Sequence, residues 1–99
     1  MALGERLDLP MQQVVEALKG GAAGSWALSH RAEGMLAGRY PLGFKLALHH
    51  KDLDIALSTA EGVQLELPIS RLVQDQEAAL IDRGFGEEDV SAMHRQFDT

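Results

Sequence analysis

The stretch G-F-K-L-A-L-H-H-K-D-L-D-I-A-L-S-T-A-E, Gly43 to Glu61, decides the fold class. It has no proline, and its only glycine is its first residue. Leu46, Leu53, Leu57 and Ala60 recur near one helical stripe, and Leu48 and Ile55 lie on a second. A helix that is apolar on two faces is expected to pack on both, so this one reads as the central rod of a helical domain. Roughly 18 residues at 1.5 Å rise make a rod of about 27 Å, enough to span a small domain. His49, His50, Lys51 and Asp52 interrupt it together, and a charged pair between apolar rows needs a partner or a purpose.

Outward from this rod the sequence reads as further helices. Gly38 to Gly43, with two glycines and Pro41, forms the loop before it. Ser25 is a good N-cap for a helix from Trp26 to about Ala37. The small residues Gly20 to Gly24 ahead of it let the backbone approach a neighbouring helix or a ligand. Met11, Val14, Val15 and Leu18 mark a short amphipathic helix after Pro10. Residues 2–7 look like the last turns of a helix, too short to be stable alone. Beyond the rod, Gly62 is expected to loosen or end it. Pro68 then starts a helix whose stripe runs Ile69, Leu72, Val73, Gln76, Ala79 and Leu80, with Gln76 its one polar member. Gly84-Phe85-Gly86 stops that helix. Glu87, Glu88 and Asp89 read as a solvated cap before a last short helix marked by Val90, Met93 and Phe97. Val63 to Leu67 is the only strand candidate, and it has no partner. The expectation is an all-α fold, a compact bundle of about five helices around a central helix near residues 45–61.

Ninety-nine residues allow one domain with a modest core. There is no cysteine, so disulfides and thiolate chemistry are excluded. The N-terminus lacks the apolar run of a signal peptide and no stretch could span a membrane, so the expected location is the cytoplasm. The net charge of −6 argues against nucleic acid and anionic membranes as partners. The charge is uneven, however. Residues 19–51 carry Lys19, Arg31, Arg39, Lys45 and Lys51 against Glu33 alone, and the rest is strongly acidic. A basic middle third could hold a small anion, although a solvated surface accounts for it as well.

The motifs for chemistry are sparse. The glycine run before Ser25 lacks a P-loop lysine. The four histidines show no zinc-ligand spacing, and His49 and His50 read as partly buried side chains with ordinary partners. The serines include no nucleophile elbow, and no acid pair forms a catalytic dyad. Trp26 can pack into the core or face a ligand. Lys51 can snorkel, pair with Asp52 or Asp54, or meet an anion.

Four segments, in order, carry a resemblance that weighs these alternatives. Gly43 to Leu57 resembles the K-D-L segment of the β-hydroxyacid dehydrogenases, a family that includes 3-hydroxyisobutyrate dehydrogenase and tartronate semialdehyde (2-hydroxy-3-oxopropionate) reductase. V-V-E-A-L-K-G-G-A-A-G-S-W, Val14 to Trp26, resembles the family's small-residue turn. L-P-I-S, Leu67 to Ser70, resembles its next helix start, and G-F-G-E-E-D-V-S-A, Gly84 to Ala92, its G-x-G-x-x-D-x-S-A ending. The spacing from Lys51 through Gly62 to Pro68 is closer to the tartronate semialdehyde reductase branch.

The resemblance implies that residues 1–99 form the C-terminal helical domain of an NAD- or NADP-dependent enzyme that interconverts a small β-hydroxyacid and its semialdehyde. The nucleotide-binding domain, with its G-x-G-x-x-G turn, and the helix bearing the catalytic lysine have no counterpart in the chain. It assigns no catalytic residue here, and implies that the chain alone is inactive. Lys51 matches the lysine that reaches the nicotinamide cofactor across the domain cleft. Asp52 and Phe44 match cofactor-binding positions lining that cleft. Ser25 and Trp26 fall where the turn approaches the hydroxyacid substrate. No metal is implied. The partners implied are the nucleotide-binding domain and a second copy in a homodimer. The alternative reading is a stand-alone helical interaction module without catalysis.

Overall fold

In the computed structural model, which describes residues 1–98, five α-helices are followed by a 3-10 segment. They are α1 (Ala2–Arg6), α2 (Met11–Lys19), α3 (Trp26–Leu36), α4 (Leu46–Gly62) and α5 (Pro68–Asp82), with the 3-10 segment at Val90–Phe97. No strand forms among the described residues; the backbone's one β-bridge joins Lys45 to Asp89. The all-α architecture is the expected one. Among the described residues no helix is long and apolar enough to cross a membrane.

Local chemistry sets the boundaries. The Ser25 side chain accepts the Leu28 N–H at 3.0 Å and caps α3, and Pro68 occupies the first turn of α5. Four helices end alike, on one residue in the left-handed region: Asp8, Gly38, Gln64 and Gly84. In each, that residue's N–H and the next return to carbonyls of the last turn. After α4, Gln64 N–H meets the Glu61 carbonyl at 3.0 Å and Leu65 N–H meets that of Ala60 at 2.9 Å. Gly62 is thus the last residue of α4, but the reversal itself falls on Gln64.

Helices α2 and α3 pack as one pair and α4 and α5 as another. The 3-10 segment touches α3, α4 and α5 and joins the pairs. The buried apolar residues are few: Val15, Ala32, Tyr40, Leu46, Leu57, Ala60, Leu80 and Ala92. The short α1 is held from outside itself. Arg6 Nη2 donates to the Phe97 carbonyl at 3.2 Å, and Glu5 lies 3.3 Å from His94 Nε2.

Four expectations are corrected by the packing. The central helix is covered on one face only: Leu46, Leu57 and Ala60 are buried, while Leu48 and Ile55 are 44% and 58% exposed. Among the described residues no element covers that second stripe. In α5 the inward polar residue is Glu77, fully buried, and not Gln76; Ile69 and Leu72 lie outside. A shift of one residue turns a helix by about 100°, so the buried stripe is rotated from the expected one. Asp89 is no solvated cap: it is 1% exposed. The last helix is 3-10 over Val90–Phe97, with the buried Asp89 as its N-cap, accepting the Ser91 N–H at 3.0 Å.

Candidate functional site

Asp89 organises the start of α4. Its Oδ1 accepts the Gly43 and Phe44 N–H groups at 3.0 and 2.9 Å. Its Oδ2 accepts the Ser91 N–H, the Ser91 hydroxyl and Arg31 Nε, the last at 3.1 Å. Burial by itself would raise the Asp89 pKa, but the Ser91 hydroxyl and the three backbone N–H donors outweigh it and hold the carboxyl well below the usual carboxylate range. Backbone bonds continue the clamp: Val90 N–H to the Phe44 carbonyl at 2.7 Å, Leu46 N–H to Glu88 and Ala47 N–H to Gly86, both at 2.9 Å. The first turn of α4 is therefore satisfied by the 86–90 segment, and Phe44 is fixed where the two meet. Gly43 has no room for a side chain: a Cβ there would lie 2.5 Å from Arg31 Nη2 and 3.1 Å from Asp89 Oδ1.

Beside this clamp lies a hollow of about 500 Å³, lined mainly by Trp26, Met35, Phe44, Val90 and Met93, with Arg31 at its edge. Trp26 is 62% exposed, so it does not pack into the core of this chain. It stacks on His30 with ring centroids 4.5 Å apart, and the Arg31 guanidinium sits 4.6 Å from its ring centre. Trp26 and Phe44, taken from separate segments, thus border one apolar space.

The other three candidates lie elsewhere. Ser25 spends its hydroxyl oxygen on the α3 cap and does not line the hollow. Lys51 and Asp52 are exposed on α4, outside that space. Lys51 shares its side of the helix with Leu48 and Ile55, and it makes no ion pair among the described residues. The pairing with Asp52 or Asp54 is absent; Asp54 accepts instead from Gln74 of α5 at 2.6 Å. The result is a free ammonium on an uncovered apolar stripe.

Sequence reasoning missed two groups. Arg31 and Asp89 form the clamp, and the only signal for it was the D-x-S of the chain's G-x-G-x-x-D-x-S-A ending. Glu77 and His49 form a pair across α4 and α5, with Nδ1 3.0 and 3.1 Å from the two carboxylate oxygens. The partly buried His49 with an ordinary partner is as expected; that the partner is a buried carboxylate had no signal. No cluster of three metal-ligating side chains occurs among the described residues.

The chain matches a family model described as NAD-binding of NADP-dependent 3-hydroxyisobutyrate dehydrogenase over residues 1–97. It is 37% identical over 81 residues to 2-hydroxy-3-oxopropionate reductase of Escherichia coli (strain K12), covering 82% of this chain and 28% of that protein. It is 29% identical over 98 residues to L-threonate dehydrogenase of Pectobacterium atrosepticum, covering 99% of this chain and 32% of that one. The fold matches a crystal structure of 3-hydroxyisobutyrate dehydrogenase from Salmonella typhimurium with a TM-score of 0.86 at 24% identity, over 96% of this chain and 33% of that one. The chain spans about a third of the length of the curated relatives it matches. With the match running from Met1 to Phe97, this chain belongs to the NAD-binding family of NADP-dependent 3-hydroxyisobutyrate dehydrogenases.

Proposed function

We propose that this chain is the helical, cleft-forming domain of an NAD(P)-dependent oxidoreductase that interconverts a small β-hydroxyacid and its semialdehyde. The observation that carries the reading is Lys51, an unpaired ammonium flanked by the exposed Leu48 and Ile55 on the helix at the centre of the sequence motif. An apolar stripe around a free cation suits a surface that closes over an anionic nucleotide. A nicotinamide cofactor supplies hydride when bound. In this reading Lys51, Asp52 and Phe44 each contribute to holding that cofactor. Ser25 keeps the turn at the head of α3 in place, so that Trp26 borders the substrate side, and the chain supplies no catalytic residue. The cofactor is bound jointly with a nucleotide-binding domain. The same uncovered apolar surface supports association with that domain and with a second copy, and the reading sets the protein in the cytoplasm.

The test is reconstitution. Purified alone, the 99-residue chain is expected to oxidise no NADH or NADPH with tartronate semialdehyde or methylmalonate semialdehyde. Joined behind the nucleotide-binding domain and lysine-bearing helix of a family relative, it is expected to restore that activity. Turnover by the chain alone, or a fusion that folds and stays inactive, would overturn the reading.

A further inference from the structure

The row Ile69, Leu72, Gln76 and Ala79, which the sequence marks as part of the inward stripe of α5, is not the face that α5 buries. Glu77 and Leu80 are buried, with Val73 half-buried beside them. Ile69 and Leu72 are 73% and 54% exposed, Ala79 is exposed and Gln76 is half-buried. At 100° per residue the two rows lie roughly 90° apart round the helix. Helix α5 thus carries apolar residues on two faces, and among the described residues only one of them is covered.

The open row has a specific form. Its steps of three, four and three residues are those of the a and d positions of a heptad, the spacing by which one helix seats its side chains between those of another. The exposed row on α4 differs: Leu48 and Ile55 stand two turns apart with Lys51 between them. Gln76 is the one polar member of the α5 row, and a single polar side chain in such a seam sets its register. The large residues, Ile69 and Leu72, occupy the N-terminal half, while Gln76 and Ala79 occupy the C-terminal half. Two copies of the row laid antiparallel put Ile69 on Ala79 of the second copy and Leu72 on its Gln76. Every layer then sets a large aliphatic residue against a smaller or polar one, so the row is complementary to itself. The area also suits a pair of copies. The accessible surface of 6698 Å² is roughly 1,200 Å² above that of a closed monomer of this mass, more than the ~800 Å² each partner gives to a stable interface.

We infer that the open row of α5 is a self-association surface, through which two copies of this chain pair by antiparallel α5 helices about a two-fold axis. The pairing rests on the homodimer of the reading above and not on its cofactor contacts. It gives that homodimer a surface apart from Leu48, Lys51 and Ile55, which are left to the nucleotide-binding domain.

Sedimentation velocity on the 99-residue chain, Leu72→Glu and Ile55→Glu tests it. Both side chains are exposed in the single chain, so helical content by circular dichroism is expected to be kept. Leu72→Glu is expected to raise the dimer dissociation constant at least about a hundredfold, as a carboxylate from each copy set in an apolar layer would. Ile55→Glu is expected to leave it unchanged. A Leu72→Glu chain that dimerises like its parent, a parent that stays monomeric, or a dimer that Ile55→Glu dissociates instead would each overturn the inference. The chain has no cysteine, so disulfides report the direction of pairing. Ile69→Cys and Ala79→Cys, mixed and oxidised, are expected to cross-link to each other, and neither is expected to link to itself. Like residues in the antiparallel pair stand about 15 Å apart along the axis, beyond the ~7 Å between Cα atoms that a disulfide spans. Variants that link to themselves, or a mixture that does not link, would overturn the antiparallel pairing. The effect of Lys51→Ala on NADPH binding by the fusion reports on the cleft alone. Failure of the α5 surface therefore leaves the cleft reading standing, and failure of the cleft leaves the α5 surface.

Discussion

Asp89 gathers five donors from three stretches of chain: Gly43 and Phe44, Ser91 twice, and Arg31. Its ionised form is what the fold uses. Because the folded carboxyl titrates below the unfolded one, the stability it lends is complete above an unfolded pKa of about 3.9 and is lost as pH falls below that value. Asp89→Asn keeps the shape but turns an N–H group toward donors. It is expected to destabilise the chain by about 3 kcal/mol at neutral pH, most of it from donors left unpaired in a buried site. Urea melts at neutral pH and near pH 3 check both claims: the gap between parent and variant should narrow in acid. An equal gap at both pH values would show that the charge is not what matters. Glu88 completes the same corner: Arg95 binds it through Nε at 2.7 Å and Nη2 at 3.0 Å, which raises the Arg95 pKa. The Arg95 guanidinium also lies 4.7 Å from the Tyr40 ring centre and 4.5 Å from that of Phe85.

At the scale of the element, the helix ends make a contrast that two substitutions resolve. Gly34 lies inside α3, where alanine would ordinarily gain about 1 kcal/mol of helix propensity. The chain leaving α3 turns back over it, however, and a Cβ there would sit 2.6 Å from the Arg39 carbonyl oxygen. Gly34→Ala is therefore expected to lower the melting temperature. Gln64 holds a left-handed conformation, φ 58°, that a side chain disfavours by about 1 kcal/mol, so Gln64→Gly is expected to raise it. Thermal melts by circular dichroism give both signs, and a rise for Gly34→Ala would contradict the close approach. Such ends also show what the sequence can reveal. Ser25 and Pro68 act on residues beside them in the chain, so the starts of α3 and α5 were legible. Glu77 was not, because its partner is 28 residues away and a one-residue error turns the whole stripe. Asp89 sits among other acids and looked solvated, because its donors arrive from distant segments. Trp26 and Phe44 were legible as candidates through the family motif, but their shared hollow depends on Met35 and Met93, which periodicity marks only as apolar. The stripe of Leu48 and Ile55 was legible too, but periodicity marks a row only as apolar, and among the described residues it stays exposed.

The whole molecule is more open than its mass requires. Its accessible surface is 6698 Å², against about 5,500 Å² for a closed monomer of 10.8 kDa. Its radius of gyration is 15.0 Å, against about 12.6 Å for a closed globule of this length. Fourteen large apolar residues are exposed and only eight apolar residues are buried, so a large part of the apolar side-chain set meets water. The excess of roughly 1,200 Å² exceeds the ~800 Å² that each partner contributes to an ordinary stable interface. Sedimentation velocity on the isolated chain is accordingly expected to show mass rising with concentration toward a dimer, the commonest closed assembly. A strictly monomeric species at high concentration would remove the support for self-association and leave only the proposed nucleotide-binding domain as a partner for this surface.

Lys51 is the residue on which the proposed cleft depends, and the affinity of the two-domain fusion for NADPH tests its role most directly. Lys51→Ala is expected to raise the NADPH dissociation constant between tenfold and about a hundredfold, as loss of one charge-assisted contact would. It should also reduce the salt dependence of binding, while Lys51→Arg keeps most of the affinity. An alanine variant that binds NADPH as tightly as its parent would contradict the cleft reading.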